Sequence, residues 1–292
     1  MDNEAFPLYE RKIVLTRPGG DDLRQPLLAL IRACGEADAR LALRYRARGF
    51  RRVAFKGSAE EVAAALRAQR RGQEAGDVAP FFLTSAGSDP LLTLYASAEP
   101  LSPGVPHHKV ELQFRTDRHL VGPDGHFGFD ALVGLFGRVV EAFGAGYGAV
   151  TDSQLMQIVN ARIAVEEMKR RIPRERHHQI GRPDFGGKVP QALAQRVARV
   201  QHPLYFDIHE VPPAVWWINY WSPRQLRAVS VERVRAAPWA RVLPQPSGGL
   251  ILVAVDEPFD ATRTDHLERI AQIVEALDLH TVQGRYLHAA SS

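Results

Sequence analysis

Val215-Trp216-Trp217-Ile218-Asn219-Tyr220-Trp221 is apolar at six of its seven positions and holds three of the chain's four tryptophans. Read as a strand, it places Val215, Trp217 and Trp221 on one face and Trp216, Ile218 and Tyr220 on the other. A strand apolar on both faces belongs in the interior of a sheet. Asn219 is the polar exception, and a buried amide must find hydrogen-bond partners. Together with Trp239, these aromatics could instead form a stacking platform for bases or sugars. Such platforms are interleaved with Lys or Arg, and neither occurs between 214 and 223. The pattern therefore assigns Trp216, Trp217, Tyr220 and Trp221 to an aromatic core.

Working outward, Leu204 to Ile208 reads as a further strand. Gly248-Gly249 opens a buried one over Leu250 to Val255, and Leu267, Ile270, Val274 and Leu277 mark the buried stripe of a closing helix. Toward the N-terminus, Lys12 to Thr16 predicts a strand ended by Pro18-Gly19-Gly20. A helix follows, capped by Asp21 or Asp22, with Leu27, Leu28, Ile31 and Cys34 inward. Strands at about 40–46 and 52–56 precede a helix whose Ser58 and Glu61 form a capping box. Phe81 to Thr84, Leu91 to Tyr95 and Lys109 to Arg115 read as antiparallel strands. Phe129, Leu132, Phe136, Val139 and Phe143 align on one face of a helix over 128–144, with Gly144, Gly146 and Gly148 as its stop. Thr151 and Gln154 suggest the cap of another helix, running through Leu155, Val159 and Ile163 to Arg171. Strands alternating with single helices, without a sustained βαβ rhythm, predict an α+β fold of mixed, largely antiparallel sheets packed with several helices. The expected division is a basic part over 1–172, a polar linker or long loop with a short helix over 173–200, and a tryptophan-rich part over 201–292. One continuous domain is the alternative.

The 292 residues are 45% hydrophobic and 24% charged, the composition of an ordinary globular protein. Cys34 is the only cysteine, which excludes an intrachain disulfide and a cysteine-ligated zinc or iron–sulfur site. Met1 to Phe6 lacks the basic and apolar regions of a signal peptide, and no run of about 18 apolar residues occurs. The expected location is cytoplasmic, with no membrane partner. The net charge of +4 is uneven: eight arginines and ten acids follow residue 200, against 29 cations and 23 acids before it. Arg40, Arg44, Arg46, Arg48, Arg51 and Arg52 form one basic cluster that could attract phosphates or an acidic protein face. The alternation of Leu41, Leu43 and Tyr45 with these arginines favours the wet side of a half-buried strand.

Motifs that carry chemistry are missing or broken. A phosphate-binding loop ending at Gly187-Lys188 would need Gly at 182 and a hydroxyl at 189, where Arg182 and Val189 stand. His209-Glu210 begins like a zinc-protease motif but continues into Val211-Pro212-Pro213. The doublets His107-His108 and His177-His178 read as surface histidines. No nucleophile elbow occurs, and Cys34 lies on an apolar face that would keep its thiol protonated. A strand would place Asp207 and His209 on one side, with Glu210 near, as the one candidate acid–base set. The reading is a non-enzyme that needs no metal and no cofactor.

Trp217-Ile218-Asn219-Tyr220-Trp221-Ser222, the segment from Arg224 to Val234, Ser247-Gly248-Gly249-Leu250-Ile251-Leu252 and Asp265-His266-Leu267-Glu268-Arg269-Ile270 together resemble the immunity protein 52 family of bacterial polymorphic toxin systems. The motifs concentrate after residue 200. The resemblance implies an α+β cytoplasmic protein that binds and neutralises a cognate toxin, for this family often a nuclease. Inhibitors of nucleases often present acidic surfaces. The locally acidic residues Asp256, Glu257, Asp260, Asp265 and Glu268 are therefore the expected partner-binding set. Two other functions compete: a nucleic-acid-associated protein using the Arg40 to Arg52 cluster, which the alternation with Leu41, Leu43 and Tyr45 disfavours as a nucleic-acid partner site, and a hydrolase using Asp207, His209 and Glu210.

Overall fold

A computed structural model of the chain describes residues 11–19, 22–48, 51–74, 81–86, 92–102, 105–114, 128–171, 173–179 and 189–287. Nine α-helices and ten strands among them make an α+β fold, and every strand pair with a defined register is antiparallel. The chain divides into two units, Met1–Pro100 with Val105–Val150, and Leu101–Gly104 with Thr151–Ser292. The division falls between Val150 and Thr151, ahead of the polar 173–200 stretch.

The first unit contains β1 (Arg11–Pro18), α1 (Arg24–Ala37), β2 (Tyr45–Arg48), β3 (Arg51–Ala54), α2 (Ala59–Glu74), β4 (Phe81–Thr84), β5 (Leu92–Ser102), β6 (Val105–Phe114), α3 (Phe129–Phe143) and β7 (Tyr147–Thr151). Its strands lie in the order β3-β2-β4-β5-β6-β1-β7. In β1, Ile13 and Leu15 are fully buried; α1 packs beside α3, and its anticipated Leu27, Leu28, Ile31 and Cys34 are all buried. The Ser58–Glu61 capping box forms: Glu61 N–H donates to Ser58 Oγ at 3.1 Å, and Glu61 Oε2 accepts from Lys56 N–H at 2.8 Å.

Several local expectations are corrected. The strand expected at 40–46 begins only at Tyr45, because Asp38 accepts from Arg40 N–H and winds Ala39–Leu41 into a 3-10 turn. Only Gly144 stops α3, with a left-handed φ of 62°. Gly148 lies in β7, a wholly buried strand that the glycine-rich spacing conceals. A Cβ there would sit 3.0 Å from Leu15 and 3.2 Å from Phe136, so the glycine permits close packing. Thr151 ends that strand, and Asp152 caps the next helix by accepting from Gln154 and Leu155 N–H at 2.9 and 3.2 Å. His107 is 3% exposed, not a surface histidine. His177 and His178 have no described side chains.

The second unit contains α4 (Ser153–Arg171), α5 (Gln191–Val197), β8 (Ile218–Trp221), α6 (Pro223–Val229), α7 (Val231–Ala236), β9 (Arg241–Pro244), β10 (Leu250–Val253), α8 (Thr264–Leu277) and α9 (Leu279–Gly284). Antiparallel pairing sets Asn219 opposite Leu252, and Leu252 opposite Val242. All four residues of β8 are buried, but Val215 to Trp217 approach it as irregular chain. The strand expected over Leu204 to Ile208 is also absent: Pro203–Tyr205 is a 3-10 turn, and Asp207 Oδ1 accepts from His209 N–H at 2.8 Å to close the next turn. Local side-chain hydrogen bonding outcompetes strand propensity here.

Two glycines should respond oppositely to alanine. At Gly249 an added Cβ would come within 2.5 Å of Tyr220 Cε2 and 2.7 Å of Trp221 O, while at exposed Gly134 in α3 it meets nothing within 4 Å. Gly249→Ala is expected to cost about 1–3 kcal/mol and Gly134→Ala to add about 0.5–1 kcal/mol, both read from chemical denaturation.

Candidate functional site

The residues that carry the resemblance build a buried frame. Trp217 and Trp221 are fully buried, Tyr220 is 2% exposed and Trp216 8%. Trp217 Nε1 donates to Val255 O at 3.0 Å, and Ala254 N–H donates to Trp217 O at 2.9 Å, extending the β8–β10 contact past its last paired residue. Trp221 meets Trp239 edge to face, ring centroids 5.7 Å apart, while Trp239 Nε1 donates to Val234 O at 2.9 Å. Tyr220 Oη lies 2.9 Å from Ser247 Oγ.

Three fully buried carboxamides tie this frame to the irregular chain that precedes it. Asn219 Oδ1 accepts from Trp216 N–H at 2.9 Å, and its Nδ2 donates to Trp216 O at 2.8 Å and Leu252 O at 3.3 Å. Gln225 Oε1 accepts from Ser222 N–H at 3.0 Å, and its Nε2 donates to Ile208 O at 2.6 Å. Gln283 Oε1 accepts from Gln201 N–H at 2.6 Å, and its Nε2 donates to Pro212 O at 2.7 Å and Pro213 O at 3.0 Å. Ser222-Pro223-Arg224-Gln225 carries the capping-box spacing, so Gln225 was legible in sequence. Gln283 carries no such signal.

The frame presents an acidic loop between β10 and α8 that runs into the first turn of α8, with Asp256, Glu257 and Asp260 exposed in the loop and Asp265 exposed in that turn. Its shape is held by His266, 2% exposed. Asp260 N–H donates to His266 Nδ1 at 3.0 Å, which leaves the imidazole proton on Nε2, 3.1 Å from Glu257 Oε1. Phe259 packs against the same ring. Arg263 bridges Glu257 at 3.0 Å and Asp265 at 2.6 Å, and Arg241 holds Asp256 at 2.5 Å. The hydrogen bond from His266, then Arg263, keeps the Glu257 carboxyl below its ordinary range, and Arg263 does the same for Asp265. Burial works against ionisation of Asp260, but Thr262 N–H and Oγ1 outweigh it and hold its carboxyl low.

Glu268 stands apart from this loop. With Glu275 it clasps the Arg196 guanidinium from α5, at 2.7 and 2.6 Å, and that pairing lowers both carboxyls. The five acids thus form an acidic loop of four, partly neutralised by Arg241 and Arg263, plus one side chain committed to a helix–helix clamp.

The other candidate groups are placed as follows. Asp207, His209 and Glu210 lie in a turn: the Asp207 carboxylate binds a backbone N–H, Glu210 pairs with Arg224, and His209 is 3% exposed. The strand geometry that would have aligned them does not form. In the basic cluster, Arg40 pairs with Asp38, Arg44 donates to Ala39 O at 3.3 Å, and Arg52 donates to Ala86 O at 3.4 Å. Among the described residues, no three His, Cys, Asp or Glu side chains are grouped to hold a metal, and no helix is long and apolar enough to cross a membrane.

No family model matches the chain, and no curated protein matches it. Among solved structures it is similar to a Pseudomonas aeruginosa T6SS protein, PA0821, at 12% identity and a TM-score of 0.49, covering 97% of this chain and 76% of that one.

Two measurements check the site. Replacing Asn219 by the similarly sized Leu leaves the Trp216 N–H and carbonyl without their side-chain partner, at about 1–3 kcal/mol for each group stranded; urea midpoints should fall accordingly. Burial pushes the Cys34 thiol up to about 12. A thiol reagent at mildly alkaline pH should therefore label the native chain only at the rate at which it unfolds.

Proposed function

We propose that the chain is a non-catalytic, immunity-type protein that binds and neutralises a cognate bacterial toxin. The observation that carries the proposal is the division of labour within the family-like motifs. Their aromatic and amide residues are buried and hold the backbone, while the loop they support is exposed and acidic. Binding proteins need such a pre-organised surface on a rigid frame, and they need no convergent reacting groups. Four carboxylates against Arg241 and Arg263 leave the loop net negative, which suits a basic partner such as a nuclease cleft.

Pairing of the acids with their own arginines supports this role. It fixes the carboxylates in position before contact, so less side-chain freedom is lost on binding. Glu268 contributes to the frame in this reading, through Arg196, and not to the contact surface.

If a toxin gene lies beside this one, co-expression of the two should restore growth, and the two proteins should co-purify. The double variant Asp256→Lys/Asp265→Lys, melting as the parent does, should slow association at least tenfold at low salt and lose most of the parent's salt dependence. Growth arrest despite full expression, with no complex on gel filtration, would sink the proposal.

A further inference from the structure

His266 stands in the first turn of α8 with its ring buried, and both ring nitrogens are engaged. Asp260 N–H donates to Nδ1 at 3.0 Å, and Nε2 lies 3.1 Å from Glu257 Oε1. A backbone N–H can only donate, so Nδ1 is the bare nitrogen and Nε2 carries the proton. The two bonds tie both ends of the segment Glu257-Pro258-Phe259-Asp260 to one imidazole. Between Nδ1 and the Asp260 nitrogen there is room for a single hydrogen. Ring protonation and the Asp260 bond therefore exclude each other.

The charges that face the ring are the carboxylates of Glu257, Asp260 and Asp265 and the Arg263 guanidinium, which shares Glu257 Oε1 with His266 and also binds Asp265. Cations of the surrounding elements are directed elsewhere. Arg241 of β9 engages Asp256, Arg196 of α5 engages Glu268 and Glu275, Arg233 of α7 donates to Leu277 O at the far end of α8, and Arg269 of α8 itself donates to Pro238 O. A proton arriving at Nδ1 keeps the Nε2–Glu257 contact and strengthens it, since a charged donor then meets a carboxylate. It forfeits the Asp260 N–H. The response is one-sided: the loop stays tethered at Glu257 and comes free at Asp260.

We infer that His266 is a proton-operated latch of the acidic loop, closed while the imidazole is neutral and released at Asp260 when the ring takes up a proton. Imidazole is the side chain whose charge ordinarily changes between about pH 5 and 8, so the latch answers to mild acidification. A proton that cannot coexist with the closed loop shifts the population toward the open one. What moves is a unit, because Thr262 N–H and Oγ1 both donate to Asp260 Oδ1 at 2.8 and 2.7 Å. The Glu257, Asp260 and Asp265 carboxyls are held low and stay ionised over that range. Acid therefore changes where the loop displays its charges before it changes their number. The inference concerns the loop's own conformation and stands apart from what the loop binds.

The test follows the full chain by NMR from pH 8 to pH 5, reading the His266 ring nitrogens and the exchange protection of the Asp260 amide in the same samples. At pH 8 the ring should show the Nε2–H tautomer. As it takes up a proton, Asp260 protection should fall at least about tenfold, the worth of one hydrogen bond, with the same midpoint, while the amides of β10 keep theirs. His266→Asn retains an acceptor for Asp260 N–H and has nothing to protonate, so its Asp260 protection should stay flat across the range. His266→Gln retains a donor toward Glu257 but no acceptor for Asp260, whose amide should be unprotected throughout. A ring that protonates with Asp260 protection unchanged would overturn the inference, as would a ring that stays neutral to pH 5 in the folded chain. Both outcomes are read on the parent, so they decide even where a variant fails to fold. Loss of protection persisting in a folded His266→Asn chain would also overturn it, assigning the effect to a carboxylate.

Discussion

The second unit depends on keeping an irregular stretch of backbone buried without stranding its polar groups. Between Phe206 and Trp217 the side chains of Phe206, Ile208, Val211, Ala214, Val215 and Trp217 are almost wholly removed from solvent, yet the chain there forms neither helix nor strand. Removing amide groups from water without partners costs several kilocalories each, more than a marginally stable domain tolerates. Asn219, Gln225 and Gln283 solve this from outside the stretch. Each carboxamide offers an acceptor and two donors, so one side chain can stand in for a neighbouring strand. The arrangement explains why the tryptophans alone do not define the frame: their indoles fill volume, but the amides choose the path.

That frame determines what the exposed loop can do. Trp217 fixes Val255 at its base and His266 fixes Asp260 at its turn. The carboxylates are thereby displayed in one conformation, each partly compensated by a neighbouring arginine or hydroxyl. Compensation reduces long-range attraction, but it also reduces the desolvation cost when the loop meets another surface. Rigid, partly neutralised acids favour geometric selection over indiscriminate attraction to any cation.

Residue order alone determined the α+β class, the buried stripes of α1, α3 and α8, and the Ser58–Glu61 cap, because these depend on periodicity and on contacts within a few positions. It also marked Asn219 as an amide that must be satisfied, without saying by what. Only the tertiary structure decided that 204–208 is a turn, that β7 runs through a glycine-rich segment, and that Gln283 reaches back some seventy positions to Pro212 and Pro213. It likewise separated Glu268 from the acids it neighbours in sequence and drew it to Arg196. For Gln283 and Glu268 the deciding energy comes from satisfying a buried or charged group with a partner distant along the chain, and no local pattern records which partner that will be.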